Sequence, residues 1–220
     1  HTELLSKYLK LPVVIKEKRN YDEIKVTKVK SIKPLNYNIP SDISSSAFFI
    51  ILTVLLNKSE ITIKNVNVNP TRTGVITILR KMGIKIILKN LKTYKGEKVS
   101  DIYVKSPKII KPINCPSKLN SEAIDEFLII FLVAAKANGI SRFKELGEMN
   151  KKESRRLDLG IKFLRLIGIK VERDKDNIKI YGNPNLILSQ SFEIKNFLKD
   201  HRVFFLSCIT ALTLGGEWKI

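Results

Sequence analysis

Cysteine, histidine and tryptophan are scarce: two Cys, two His and one Trp among 220 residues. Cys115 and Cys208 lie far apart with no C-x-x-C spacing, which argues against a disulfide framework and a thiolate metal site and fits a reducing cytoplasm. With only His1 and His201 as imidazole donors, a histidine-based metal centre has little to draw on, and no metal is expected. Long apolar runs are missing as well. The longest, "AFFIILTVLL" and "FLIIFLVAA", fall short of the roughly 18 residues of a membrane-spanning helix and read instead as buried helices. The opening "HTELLSKYLK" has neither an initiator Met nor a signal-peptide stretch and reads as part of a longer protein.

Acidic residues are in deficit. Against 40 Lys and Arg stand 21 Asp and Glu, a formal charge of +19, an excess that attracts nucleic acid, acidic lipid or phosphorylated small molecules without choosing among them. Much of it is Lys scattered among Ile and Asn, as in "SEITIKNVNVN", the pattern of a solvated surface.

What the sequence does contain is a repeat. "RKMGIKI" from Arg80 recurs as "RLIGIKV" from Arg165, an offset of 85 residues. Each copy reads in the same order. The first has an apolar helix over 47–56, the strand "EITIKNVNV", a Pro-Thr-Arg loop, a helix ending at "KMG" and the strand "IKIIL". The second has an apolar helix over 124–137, an Asn-Gly turn, the strand "ISRFKEL", a basic loop, a helix over 154–167 and the strand "IKVERD". A third copy opens at "DHRVFFLSCITALTLGGEWKI", and "LLSKYLKLPVVIKEK" reads as the close of an earlier one.

The first helix of each copy is apolar on nearly every face, which requires burial on all sides. The strand "ITIKNVNV" alternates, as a sheet with one wet face does. The expected fold is therefore α/β turned inside out: a barrel of repeated units with buried helices and outer sheets about a pseudo-threefold axis. An ordinary open α/β sheet needs continuous apolar strands instead. "KVKSIKPLNYNIP", residues 28–40, reads as a crossover, dividing the chain into 1–39 and 40–220. "KNLKTYKGEKVSD" reads as a polar surface loop between strands.

Polar residues collect just ahead of the buried helices: "SDISSS", "AIDE" and "KDHR". Asp42, Ser44 and Ser45 suit N-caps. Asp125, beside an apolar run, is costly there unless used. His201 and Arg202 offer a proton carrier beside an anion receptor. In "KKESRR" a single acid, Glu153, stands among Lys151, Lys152, Arg155 and Arg156; it is either an i, i+3 ion pair with Arg156 on a wet helix or an acid–base group among substrate-binding cations.

In order and spacing, "IPSDISSSAFF", "NVNVNPTRTG", "KKESRRL" and "DHRVFF" closely resemble the EPSP synthases, the 3-phosphoshikimate 1-carboxyvinyltransferases. The resemblance runs the length of the chain and implies roughly the second half of a two-domain enzyme with its active site between the domains: 1–39 as the end of the first domain with the crossover, 40–220 as most of the second. It implies transfer of the enolpyruvyl group of phosphoenolpyruvate to the 5-hydroxyl of shikimate 3-phosphate, no cofactor, a cytoplasmic monomer when complete, and no activity in the isolated segment. By the same resemblance Asp125 binds the shikimate hydroxyls and assists deprotonation, Lys152 contacts both substrates, Glu153 is the acid–base group, Arg156 and Arg202 grip phosphoenolpyruvate, and His201 supports them. Two places depart from the family pattern: Ser41 stands for the usual Gly, and "MNKKESRR" for "LRVKESDR", giving Asn150 in place of Arg, Lys151 in place of Val and Arg155 in place of Asp.

Two alternatives remain beside this. The sister enolpyruvyl transferase acting on UDP-N-acetylglucosamine shares fold and chemistry, but "KES" and "DHR" favour shikimate 3-phosphate. An RNA-associated protein needs exposed aromatics among its basic residues, whereas Phe48, Phe49, Phe204 and Phe205 fall in the apolar helix runs and are expected to be buried. Nucleic acid is not an expected partner.

Overall fold

A computed structural model describes residues 1–32, 34–195 and 200–220. Lys33, within the predicted crossover, and Lys199, the first residue of "KDHR", lie outside the described residues. The chain opens with helix α1 (Thr2–Tyr8) and an antiparallel hairpin of β1 (Val13–Glu17) and β2 (Asp22–Val26), followed by the irregular crossover. The first repeat contains α2 (Ile43–Leu55), β3 (Glu60–Asn67), a 3₁₀ turn Pro70–Arg72, α3 (Gly74–Lys81), β4 (Ile86–Tyr94) and β5 (Glu97–Lys105). The second contains α4 (Phe127–Ala135), β6 (Ile140–Phe143), a 3₁₀ turn Gly147–Lys151, α5 (Arg156–Leu166), β7 (Val171–Asp174) and β8 (Asn177–Tyr181). The third contributes β9 (Leu188–Glu193), α6 (His201–Leu214) and β10 (Gly215–Lys219).

Each of the first two repeats folds its strands into an antiparallel sheet in which the last strand lies in the middle, β3-β5-β4 and β6-β8-β7. Each buried helix is also a crossover between parallel neighbours: Ser41 bridges Val66 around α2, Asn114 bridges Arg142 around α4, and β9 pairs β10 around α6. The repeated unit thus begins one short strand before the helix. Helices α2, α4 and α6 pack on one another inside, and the sheets lie outside. All nine residues of α4 are buried. At that length an isolated helix is marginal, so burial rather than propensity stabilises it, at about 1.5–3 kcal/mol per large apolar side chain.

The offset of the repeat is written in the backbone. Gly83 and Gly168 both close a helix with positive φ, 87° and 81°, the conformation that glycine adopts at least cost. Arg80 and Arg165 each reach six residues on to a strand carbonyl, Ile86 O at 2.8 Å and Val171 O at 3.1 Å.

Four expectations are corrected. The stretch "KNLKTYKGEKVSD" is a β-hairpin, not a loop: β4 and β5 pair as far as Tyr94 and Glu97, and Lys95 and Gly96 turn with φ of 47° and 91°, a two-residue turn with both central φ positive. Its Lys and Asn residues lie on the wet face and conceal the alternation. Helix α2 starts at Ile43 rather than 47 because Asp42 caps it, accepting from Ser45 N at 2.7 Å. Strand β6 ends at Phe143, and Glu145 just beyond it has φ of 59°, outside the extended region. Finally, the phenylalanines of α2 and α6 are not buried: Phe49, Phe204 and Phe205 are 56%, 49% and 46% exposed. Helix α4 is covered by α3 and α5, whereas α2 and α6 flank an open groove lined by Phe48, Phe49, Leu52, Phe205, Ile209 and Leu212. Among the described residues no helix is long and apolar enough to cross a membrane.

Candidate active site

The N-terminal ends of α2, α4 and α6 meet at one end of the domain, joined by side chains. Ser44 of α2 donates to Glu126 Oε1 at 2.5 Å, and Arg202 of α6 donates from Nη1 to the carbonyl of Asp125 at 2.7 Å. Asp125 sits in the turn before α4, its side chain 15% exposed. Four cations from four segments converge on its carboxylate: Arg72 Nη2 at 3.2 Å, Lys152 Nζ at 3.4 Å, Arg156 Nη1 at 3.4 Å and Arg202 Nη2 at 3.8 Å. Burial works against ionisation of Asp125, but Arg202, Lys152 and Arg72 outweigh it and hold the carboxyl below its usual range.

Arg156 is the most deeply placed of these cations, with 2% of its side chain exposed. Its Nε donates to Asp200 Oδ2 at 3.1 Å, and Asp200 also accepts from Ser154 Oγ at 2.5 Å and from Arg202 N at 2.9 Å. For Asp200 too, burial is outweighed, by the bonds from Ser154, Arg202 N and Arg156, and its carboxyl is held low. A buried cation needs such a partner. Glu153 lies 2.7 Å from Arg156 Nη2 but is 72% exposed. The i, i+3 pair foreseen as the plain alternative is therefore present, and one side of the carboxylate remains open to the mouth. Arg156 Nη2 is not aligned for a hydrogen bond with it, and Arg202 Nε also lacks an acceptor among the described residues. Arg156 Nη2 is nonetheless ion-paired to Glu153, so Arg202 Nε is the buried guanidinium N–H of this cluster that lacks a carboxylate or other acceptor among the described residues.

The structure accordingly brings Asp125, Lys152, Glu153, Arg156 and Arg202 together. His201 starts α6 on the exposed rim and has no hydrogen-bond partner among the described residues. Of the three residues suited to capping, Asp42 is the cap; Ser45 lies inside the helix and donates its Oγ to Asp42 Oδ2, and Ser44 turns inward to Glu126. The sequence reading left Arg72 and Glu126 unassigned and offered Ser44 only as a cap. The signals were slight: one Arg in an otherwise uncharged "NPTRTG", and a second acid at the head of an apolar run.

Buried crossover helices inside, antiparallel sheets outside and a cationic mouth around one carboxylate define an inside-out α/β protein. The family model for EPSP synthase (3-phosphoshikimate 1-carboxyvinyltransferase) matches residues 4–220, and the chain belongs to that family. It is 34% identical over 221 residues to 3-phosphoshikimate 1-carboxyvinyltransferase of Thermodesulfovibrio yellowstonii, a match covering 100% of this chain and 50% of that protein. Among solved structures, EPSP synthase from Acinetobacter baumannii superposes with a TM-score of 0.84 at 30% identity, over 97% of this chain and 48% of that one. The enolpyruvyl transferase NikO from Streptomyces tendae shares the fold, with a TM-score of 0.61 at 13% identity, over 94% and 45% of the two chains. The chain spans about half the length of the curated relatives it matches.

Proposed function

We propose that this chain is part of an enzyme that transfers the enolpyruvyl group of phosphoenolpyruvate to the 5-hydroxyl of shikimate 3-phosphate and releases phosphate. The convergence of Arg72, Lys152, Arg156 and Arg202 on Asp125 carries the reading. Such a cluster binds polyanions tightly and keeps a carboxylate ionised as a base. In this reading residues 1–39 close a first domain, residues 40–220 form most of a second, and the substrates lie between them. The complete protein works as a cytoplasmic monomer.

Arg156 and Arg202 hold the carboxylate and phosphate of phosphoenolpyruvate, the acceptor-free Nε of Arg202 supporting that role, and His201 assists from the rim. Lys152 bridges both substrates. Glu153 supplies a proton to the methylene carbon. Asp125 takes the proton of the 5-hydroxyl as its oxygen attacks the neighbouring carbon, and the tetrahedral adduct then returns a proton and expels phosphate. Placing these groups before reaction provides the rate advantage of positioning and preorganised charge.

The test is phosphate release by the complete gene product given phosphoenolpyruvate with shikimate 3-phosphate or with UDP-N-acetylglucosamine, in wild type and Glu153→Gln. Release with shikimate 3-phosphate alone, falling at least about 100-fold in the variant as expected for a lost acid–base group, is the expected result. Turnover of the nucleotide sugar instead overturns the substrate assignment, and turnover by residues 1–220 alone overturns the shared cleft.

A further inference from the structure

Asp125 has more counterions than the proposed chemistry leaves it. Three of its four cations, Lys152, Arg156 and Arg202, are assigned to substrate anions. A carboxylate that is largely buried and loses its counterions tends to take up a proton, and a protonated Asp125 cannot serve as a base.

Arg72 differs from the other three in how it is held. Its Nη2 lies 3.0 Å from Ser44 Oγ and 3.2 Å from Asp125 Oδ2. Ser44 is buried and directs its own proton to Glu126 Oε1, so its oxygen lone pairs face Arg72. Glu126 is 1% exposed. The segments carrying Arg72 and Asp125 are also tied through the backbone, Gly74 N donating to Glu122 O at 3.2 Å. Asp125 is faced by Arg72 from the 3₁₀ turn, Lys152 from the loop before α5, Arg156 from α5, Arg202 from α6 and Glu126 next to it in sequence. Of the cations, Arg72 alone is anchored from behind by a neutral hydroxyl and has no proposed substrate contact.

We infer that Arg72, fixed through Ser44 to Glu126, is a positioning residue that stays on Asp125 when the other three cations turn to substrate, keeping that carboxylate ionised and aimed. The inference rests on the reading of Asp125 as the base.

The experiment is the pH dependence of kcat in the complete enzyme for wild type, Arg72→Met, Arg72→Lys, Ser44→Ala and Asp125→Asn, with urea midpoints to verify folding. Arg72→Met is expected to move the acidic limb of kcat upward by about one pH unit, an approximately tenfold loss at low pH, with KM for phosphoenolpyruvate within about twofold of wild type, as expected when uniform substrate binding is untouched. Arg72→Lys restores most of the limb, and Ser44→Ala moves it the same way by a smaller step. An unmoved limb in folded Arg72→Met overturns the inference. If that variant does not fold, an unmoved limb in Ser44→Ala does so. Wild-type turnover by Asp125→Asn removes the base itself, whereas an inactive Asp125→Asn with an unmoved Arg72→Met limb sinks only the role of Arg72.

Discussion

Helix α5 begins without an ordinary cap, and a paired substitution tests what replaces it. Its N-cap residue is Arg155, which makes no capping bond. Instead Asn150, five positions upstream, accepts from Leu157 N at 3.0 Å and Asp158 N at 3.3 Å, and donates to Asp158 Oδ1 at 3.0 Å. Arg155 turns outward to Asp158 Oδ2 at 2.6 Å, its own side chain 70% exposed. Two of the departures in this stretch, Asn150 and Arg155, are thus linked in this chain: Asn150 caps α5 in place of the residue at 155, closing the loop that presents Lys152 and Glu153. Asn150→Ala removes the single Oδ1 that accepts both bonds and is expected to cost about 1–2 kcal/mol, a fall in Tm of roughly 3–6 °C for a chain of this size. Arg155→Asp restores an acid at the regular cap position, gaining about 0.3–1 kcal/mol from the helix dipole in addition to the cap. It forfeits an exposed pair worth about 0–1 kcal/mol. Alone it is near neutral; in the Asn150→Ala background it should recover about 1 kcal/mol. Urea unfolding of the four proteins, with equal m-values, gives the coupling directly. Additivity within about 0.3 kcal/mol would refute the moved cap.

Asp200→Ala leaves the buried Arg156 Nε and Ser154 Oγ without their acceptor, while Asp125 and Glu153 still balance the guanidinium charge, and should cost about 1–3 kcal/mol in urea unfolding; a loss below about 0.5 kcal/mol, the level of many exposed pairs, would show that the pair is dispensable. The same carboxylate predicts an acid-side slope. The folded-state values of Asp200 and Asp125 lie below their ordinary ones, so their contribution is full above the unfolded value near ~3.9 and is lost as pH falls through the folded values. Urea midpoints between neutral and acidic pH should therefore drop more gently in Asp200→Asn than in wild type, and identical slopes would count against the assignment.

Much of the architecture is legible in particular residues. "FLIIFLVAA" has no polar face, so α4 could only be central, and the Gly83 and Gly168 pair marks the repeat because each closes a helix by the same backbone turn. Asp125 stood out as an acid beside that run. Arg72 did not, because its partners Ser44 and Asp125 lie 28 and 53 residues away. The aromatics of α2 and α6 misled for a similar reason. A helix apolar on all sides predicts burial, but whether a neighbour covers each side depends on the packing of other elements, and the α2–α6 groove has no counterpart of α3 or α5 among the described residues.

The sequence alone determined the helices that must be buried, the 85-residue repeat and the acids and bases gathered before each buried helix, because periodicity and charge are local properties of the chain. Tertiary structure decided that the last strand of each unit lies in the middle of its sheet, that the cap of α5 comes from Asn150, and that four cations share Asp125. The strand order and the shared carboxylate depend on residues far apart in sequence, the latter brought together only when the buried helices pack with their N-terminal ends in one place, whereas the cap, spanning seven and eight residues, depends on how the loop before α5 folds back.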